Sequence, residues 1–267
     1  ILTRGYGGKS KKPVNVVCDG KEILLSPEWV GDEAVMMAEK LKNVPILTGP
    51  DRFQTGRYAL KNYEIDTLIL DDGFQHLALC RDLDILLCDH QRPLGNNHLF
   101  PAGELREPAS ETRRADMVCF TRYSGGGIKF LSSIPQIKTH LRLDSIINME
   151  NGDVCDAEVL KCQPVIAFCG IANPEGFRQI LQDVQVQLKM FKAFPDHHEY
   201  SLYDIKELES IASQEGVKFI LVSEKDAVKL KNMKLSLPFF KVVIDLEILE
   251  GREIFNKKIT TTSRGDN

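Results

Sequence analysis

Short apolar runs alternate with amphipathic stretches along the whole chain. The runs at 14–17, 44–47, 67–70, 83–87 and 117–120 have the length and the β-branched or leucine-rich content of buried strands. Between them, residues 32–41 place Val35, Met36, Ala38 and Leu41 at helical spacing behind Gly31-Asp32-Glu33, and a second helix is predicted from about Phe53 to Leu60, after the Gly49-Pro50 turn. Ile1-Leu2-Thr3-Arg4 reads as the end of a strand entering a loop. Further on, strands are predicted at 165–168, 186–191, 219–222 and 239–244, with helices at 174–181 and 202–214. Gly216 stands at a C-cap position for the last of these. Between the two sets, Asn151-Gly152 marks a tight hairpin turn inside 146–154.

Strands alternating with helices imply an α/β sheet with crossover connections. The expected organisation is a core lobe over 1–140, a hairpin linker over 141–163, a smaller C-terminal α/β lobe over 164–250 and a tail over 251–267. Residues from about Lys257 onward are polar and lack periodicity, which predicts fraying. Ser124-Gly125-Gly126-Gly127 reads as a short flexible loop.

Composition narrows the class without naming it. With 267 residues, 43% hydrophobic, the chain can bury one large or two modest cores. Lys and Arg total 34 against 38 for Asp and Glu, so a net charge of -4 gives no global attraction to nucleic acid. Seven cysteines without a CxxC spacing read as buried thiols of a reducing compartment. No apolar run approaches the roughly 20 residues that span a bilayer.

Candidate chemistry begins at Asp71-Asp72-Gly73-Phe74-Gln75-His76, directly behind the run Thr67-Leu68-Ile69-Leu70. Ligands of open α/β sheets bind beyond the carboxyl ends of the strands. The two carboxylates therefore read either as a metal-nucleotide site or as a strand-ending turn, since Asp and Gly favour turns for backbone reasons alone. Gly8-Lys9-Ser10 imitates the end of a G-x-x-x-x-G-K-[ST] phosphate loop, but Thr3 stands where that pattern needs glycine, and Lys11-Lys12-Pro13 leads to a strand instead of a helix. A matching phosphate cradle is then expected upstream of Ile1, in keeping with a chain that begins with Ile rather than Met. From spacing alone, Asp32 reads as a helix N-cap with Glu33 in the first turn. Asp196-His197-His198 reads as a solvated turn or a loop metal site lacking a third ligand cluster, and Glu224-Lys225-Asp226 as a charged strand end. Arg106-Glu107 reads as an ordinary exposed ion pair.

Taken in order, nine short motifs carry a resemblance. They are Arg4-Gly5-Tyr6-Gly7-Gly8, Gly31-Asp32-Glu33, Asp51-Arg52 through Gly56-Arg57, Asp71 to His76, Arg92-Pro93-Leu94-Gly95-Asn96, Leu99-Phe100-Pro101-Ala102-Gly103, Leu105-Arg106-Glu107-Pro108, Phe194-Pro195-Asp196-His197-His198 and Ser223-Glu224-Lys225-Asp226-Ala227. The chain resembles the tetraacyldisaccharide 4'-kinase family, the lipid A kinases of Gram-negative bacteria, from its first residue to about Leu230. The resemblance implies a P-loop NTPase-like parallel-sheet lobe, here without its first βα unit, and a smaller C-terminal α/β lobe. It implies transfer of the ATP γ-phosphate, with Mg²⁺, to the 4'-hydroxyl of an acylated glucosamine disaccharide 1-phosphate at the cytoplasmic face of the inner membrane.

By the same resemblance, Asp32 is the expected base for the sugar hydroxyl and His197 the residue that orients it or tunes its pKa. Asp71 and Asp72 hold or orient Mg²⁺, directly or through water. Arg52, Arg57 and Arg106, with Lys225, clamp substrate phosphate or developing charge. Position 34 is Ala where many members carry Pro, which alters the helix start and leaves Asp32 in place. Two other readings remain: a non-catalytic lipid- or partner-binding remnant of the family, and a metal-dependent hydrolase built on Asp71, Asp72, Asp196 and His197.

Overall fold

The structure, a computed structural model, describes residues 1–126 and 133–263. The chain divides into two compact units, Ile1–Asp71 with Leu143–Asp245 and Asp72–Arg142 with Leu246–Asn267. In chain order the elements are β1 (Leu2–Thr3), β2 (Asn15–Asp19), α1 (Pro27–Val30), α2 (Asp32–Lys40), β3 (Pro45–Thr48), α3 (Arg52–Asn62), β4 (Ile85–Asp89), β5 (Met117–Thr121), β6 (Gln136–Asn148) and β7 (Val154–Asp156). There follow β8 (Pro164–Cys169), α4 (Pro174–Asp183), β9 (Gln187–Ala193), α5 (Leu202–Gln214), β10 (Ile220–Ser223), α6 (Glu224–Leu230), β11 (Phe239–Glu250) and α7 (Arg252–Ser263). Two 3₁₀ turns, Ala109–Arg114 and Ala157–Leu160, complete the set among the described residues.

The first unit is α/β. Strands β9, β8, β10 and β11 pair in parallel in that order, with Ile220 in register with Ile166 on one side and Phe239 on the other. A parallel strand covered on both faces reads as a continuous apolar run, and Val165–Cys169 of β8 is buried at every position. Helix α5 begins with a reciprocal capping box between Ser201 and Asp204, and just past its end Gly216 takes the left-handed conformation at φ 65°. Its Ile205, Leu208 and Ala212 pack into one core with Ile166, Phe168, Val222 and Phe239. Phe168 lies edge-on to Phe194, Tyr200 and Phe239, with ring centroids 5.3 to 6.1 Å apart. This cluster supports the loop that leads from β9 to α5.

A smaller sheet of the same unit has the order β1-β3-β2, with β1 parallel and β2 antiparallel to β3. Helix α2 lies in a core of Val17, Ile46, Val35 and Ala38 that also takes in Val228 of α6. That packing decides the site, because it holds the N-terminus of α2 in the same cluster as α6. In the second unit, β4, β5 and β6 pair in parallel.

Most predicted elements are present within a residue or two, and the Asn151-Gly152 turn joins β6 to β7 with Ile146 opposite Cys155. Three expectations need correction. The run at 67–70 is not a strand: it makes one parallel bridge, Leu70 to Leu2, and Ile69 is 60% exposed, so it lacks the cover that a central strand has on both faces. Residues 257–263 are not frayed but belong to α7, anchored through Phe255 to Met117, Cys119 and Ile137. Ile254 and Ile259 of this helix are exposed, so no apolar stripe is left to read. Residues 264–267, and Gly127 of the glycine loop, lie outside the described residues. All seven cysteines are free thiols, but Cys80 and Cys162 are exposed, and burial pushes the Cys88 and Cys169 thiols up to about 11 and about 12.

Phe168→Ala is expected to cost about 3–5 kcal/mol in chemical denaturation, the penalty for emptying a fully buried aromatic site. An effect below about 1 kcal/mol would show that the Phe168 cluster does not hold the loop packed on it.

Candidate active site

Asp32 is the first residue of α2 and is 4% exposed. It is not the N-cap. That position belongs to Gly31, whose φ of 91° suits glycine, and a Cβ there would lie 2.3 Å from the Tyr6 carbonyl oxygen. Asp32 Oδ1 accepts the Glu33 backbone N–H at 2.9 Å. Its Oδ2 lies 3.0 Å from His197 Nδ1 and 2.9 Å from Lys229 Nζ.

His197 comes from the loop between β9 and α5. Its backbone is left-handed at φ 59°, its N–H donates to the Gly170 carbonyl at 3.1 Å, and its ring sits 5.2 Å from that of Tyr6. Lys225 Nζ faces its Nε2 at 3.3 Å. An ammonium can only donate, so Nε2 accepts and Nδ1 carries the hydrogen given to Asp32. Lys225 also meets Asp196 at 3.1 Å and Glu33 at 3.2 Å. His198, next in sequence, does something else: its ring stacks on Phe194 at 4.6 Å and its Nε2 lies 3.4 Å from Asp204.

Sequence reasoning missed Lys229. It lies four residues after Lys225 on α6, one turn along the same face, and that spacing was the available signal. Behind it, Asp226 is fully buried and accepts from the Gly170 N–H at 2.7 Å and the Ser223 hydroxyl at 2.5 Å. Glu224-Lys225-Asp226 is therefore no surface charge cluster.

Burial pulls the Asp32 carboxyl upward, but the hydrogen bond and charge of Lys229, followed by the charge of Lys225, outweigh it and leave its pKa below the ordinary 3.8. Burial likewise depresses the Lys225 ammonium, and the charges of Asp32, Asp196 and Glu33 overcome it, so Lys225 sits above its ordinary value. The arrangement is a carboxylate kept ionised inside the protein, able to accept hydrogen bonds and to orient a donor.

The other expected site residues fall in different settings. Asp71, half-buried, closes the single bridge by donating its N–H to the Leu2 carbonyl at 2.9 Å. Asp72, left-handed at φ 49°, is exposed and receives Arg106 Nη1 at 2.9 Å. Arg106 thus pairs with Asp72, while Glu107 pairs with Arg114 at 2.7 Å. Arg52 is buried at the start of α3 and donates to the Gly49 carbonyl at 2.9 Å, whereas Arg57 is exposed near the Phe53 ring. In the Gly8-Lys9-Ser10 loop, the Lys9 and Ser10 N–H groups donate to the Glu28 and Trp29 carbonyls, so this backbone is committed to α1.

The profile of the family described as tetraacyldisaccharide-1-P 4'-kinase matches residues 1–263. The chain belongs to this tetraacyldisaccharide-1-P 4'-kinase family. It is 41% identical over 266 residues to the tetraacyldisaccharide 4'-kinase of Syntrophus aciditrophicus, covering 93% of this chain and 71% of that protein. It is 39% identical to the one from Desulfotalea psychrophila, over 90% of this chain and 71% of that protein. Among solved structures, the "apo" form of LpxK from Aquifex aeolicus in complex with ATP superposes with a TM-score of 0.80 at 32% identity, covering 98% of this chain and 78% of that one. The α/β core is thus that of a tetraacyldisaccharide 4'-kinase, P-loop NTPase-like in class.

Because the folded pKa of Asp32 is lowered, its contribution to stability is complete above the ordinary value of 3.8 and is lost as pH falls through the folded value. Asp32→Asn is expected to lower stability at neutral pH by roughly 1–3 kcal/mol and to flatten this acid limb in pH-dependent denaturation. An unchanged limb would show that Asp32 is not held ionised.

Proposed function

We propose that this member of the tetraacyldisaccharide 4'-kinase family transfers the γ-phosphoryl group of ATP to the 4'-hydroxyl of an acylated glucosamine disaccharide 1-phosphate, the reaction that makes a lipid A precursor. The observation that carries the reading is the Asp32 carboxylate. Two donors occupy Oδ2 and one occupies Oδ1, which leaves Oδ1 one acceptor site.

In this reading the acceptor hydroxyl donates to Asp32 Oδ1, which aligns its oxygen for attack. A loose phosphoryl-transfer transition state needs mainly positioning from such a group, so a carboxylate with a lowered pKa suffices. The hydroxyl proton passes late to Asp32 Oδ1, when the new P–O bond has made it acidic and the bond from the γ-phosphorus to the bridging oxygen breaks to release ADP. His197 orients Asp32 through the Nδ1–H that the Lys225 contact dictates. Exposed Arg57 and Arg106 are assigned to substrate phosphate, and the more buried Arg52 and Lys225 to phosphate or developing charge.

Asp71 and Asp72 are proposed to hold Mg²⁺. Among the described residues no group of three or more His, Cys, Asp or Glu side chains is arranged around a common metal position. Mg²⁺ characteristically takes one or two carboxylates and completes its shell with water and substrate phosphate, so an adjacent carboxylate pair fits it. When bound, the ion neutralises phosphate charge. The Asp72–Arg106 pair suits the same reading, since metal and phosphate would each replace one partner of an exposed ion pair that is worth little by itself.

No helix among the described residues is long and apolar enough to cross a membrane. The acylated substrate places the reaction at a membrane surface, and we assign the protein a peripheral position on the cytoplasmic face.

The test is ³²P transfer from ATP to tetraacyldisaccharide 1-phosphate by the full-length protein and its Asp32→Asn variant. A fall in kcat of about 10²–10⁴-fold with ATP affinity retained is expected. Undiminished turnover would remove Asp32 from the reaction, and ATP binding without transfer in the unaltered protein would favour a lipid-binding role.

A further inference from the structure

Lys229 enters the reading above only as a donor on Asp32 Oδ2, yet it is as enclosed as Lys225. Its ammonium has three hydrogens and meets three acceptors: Asp32 Oδ2 at 2.9 Å, the His198 carbonyl at 3.2 Å and Asp226 Oδ1 at 3.3 Å. It is 13% exposed and lies 5.9 Å from the centre of the Tyr200 ring. Asp226 already has the Ser223 hydroxyl and the Gly170 N–H on its other oxygen. Lys229 therefore stands between two buried carboxylates, one with two further donors on its other oxygen and the other facing the reaction.

We propose that Lys229 is a positioning residue for the phosphoryl-transfer site: braced against Asp226 and the His198 carbonyl, it occupies Asp32 Oδ2, keeps that carboxylate ionised, and so assigns the acceptor hydroxyl to Oδ1. The proposal deepens the reading of Asp32 as the group that meets the hydroxyl and rests on it.

His197 cannot take over this task. With Nε2 facing Lys225, its ring gives Asp32 one N–H, which fixes direction, and its charge is the smallest of the causes that hold the Asp32 pKa down. Lys225 is charged, but its ammonium meets Asp196, Glu33 and His197 rather than an Asp32 oxygen. The groups that face Asp32 are thus Lys225, Asp226 and Lys229 from α6, Asp196, His197 and His198 from the loop before α5, and Glu33 from its own helix. Three of these side chains are acids and two are imidazoles, and of the two lysines Lys229 is the one whose ammonium meets Oδ2 directly. Without it, Asp32 would lose its strongest reason to stay ionised in a buried position.

The experiment uses the full-length protein and two readouts: the pH profile of kcat/KM with tetraacyldisaccharide 1-phosphate, and a ¹³C NMR titration of the Asp32 carboxyl. Lys229→Met is expected to move both acid limbs to higher pH together, so that at the acid end its activity falls about tenfold further than that of the unaltered protein. Lys229→Arg, which keeps the charge, should restore both limbs toward their original positions. Should Lys229→Met fail to fold with Asp226 left facing Asp32, the double variant Lys229→Met/Asp226→Asn removes the second buried charge and carries the same expectation. An Asp32 titration unmoved in the folded variant would overturn the proposal. A titration that moves while the activity limb stays in place would instead overturn the role of Asp32 in the reaction and leave its hold by Lys229 standing.

Discussion

A carboxylate with 4% of its surface exposed stays charged only if the protein answers that charge, and at Asp32 the answer is a lysine at 2.9 Å. The rest of the site follows from that requirement. Lys229 needs a fixed position, which Asp226 and the His198 carbonyl give it. Asp226 needs its own partners, which the Ser223 hydroxyl and the Gly170 N–H supply. Gly170 also accepts the His197 N–H, so the backbone atoms that steady Asp226 also place the imidazole. The buried charges are linked in one network, and such networks are strong when every member is satisfied and costly when one is removed.

The fold explains why these groups meet. Asp32 opens α2, and Lys225 and Lys229 lie one turn apart on α6; the two helices share the core formed by Val35, Ala38 and Val228. His197 arrives from β9 on a loop seated over the aromatic cluster around Phe168. Gly31 is needed because the chain turns tightly against Tyr6 before α2 begins, and a side chain there would collide with the backbone. Apolar packing thus positions a polar site, and the polar site adds little that a hydrophobic pattern would disclose.

That division also explains what could be read in advance. Strands β8 and β10 and helix α5 were legible because continuous burial leaves continuous apolar runs and an amphipathic helix leaves its spacing. Helix α7 was not, because Phe255 packs into a core while Ile254 and Ile259 stay exposed. The run at 67–70 misled for the opposite reason: four residues of strand-like composition make one bridge and leave Ile69 in solvent. Asp32 and His197 were reached through motif order, whereas Lys229 was passed over, since a lysine on a helix is usually solvated and only the tertiary packing shows this one enclosed. No pattern of residue types announces that each compact unit is assembled from two separate stretches of chain.

The most direct measurement is a crystal structure of the full-length protein with its acylated disaccharide acceptor bound. We expect the 4'-hydroxyl oxygen within hydrogen-bonding distance of Asp32 Oδ1, about 2.6–3.2 Å, with Oδ2 still held by His197 and Lys229. A hydroxyl bound elsewhere, or one that displaces Lys229 from Oδ2, would contradict the account.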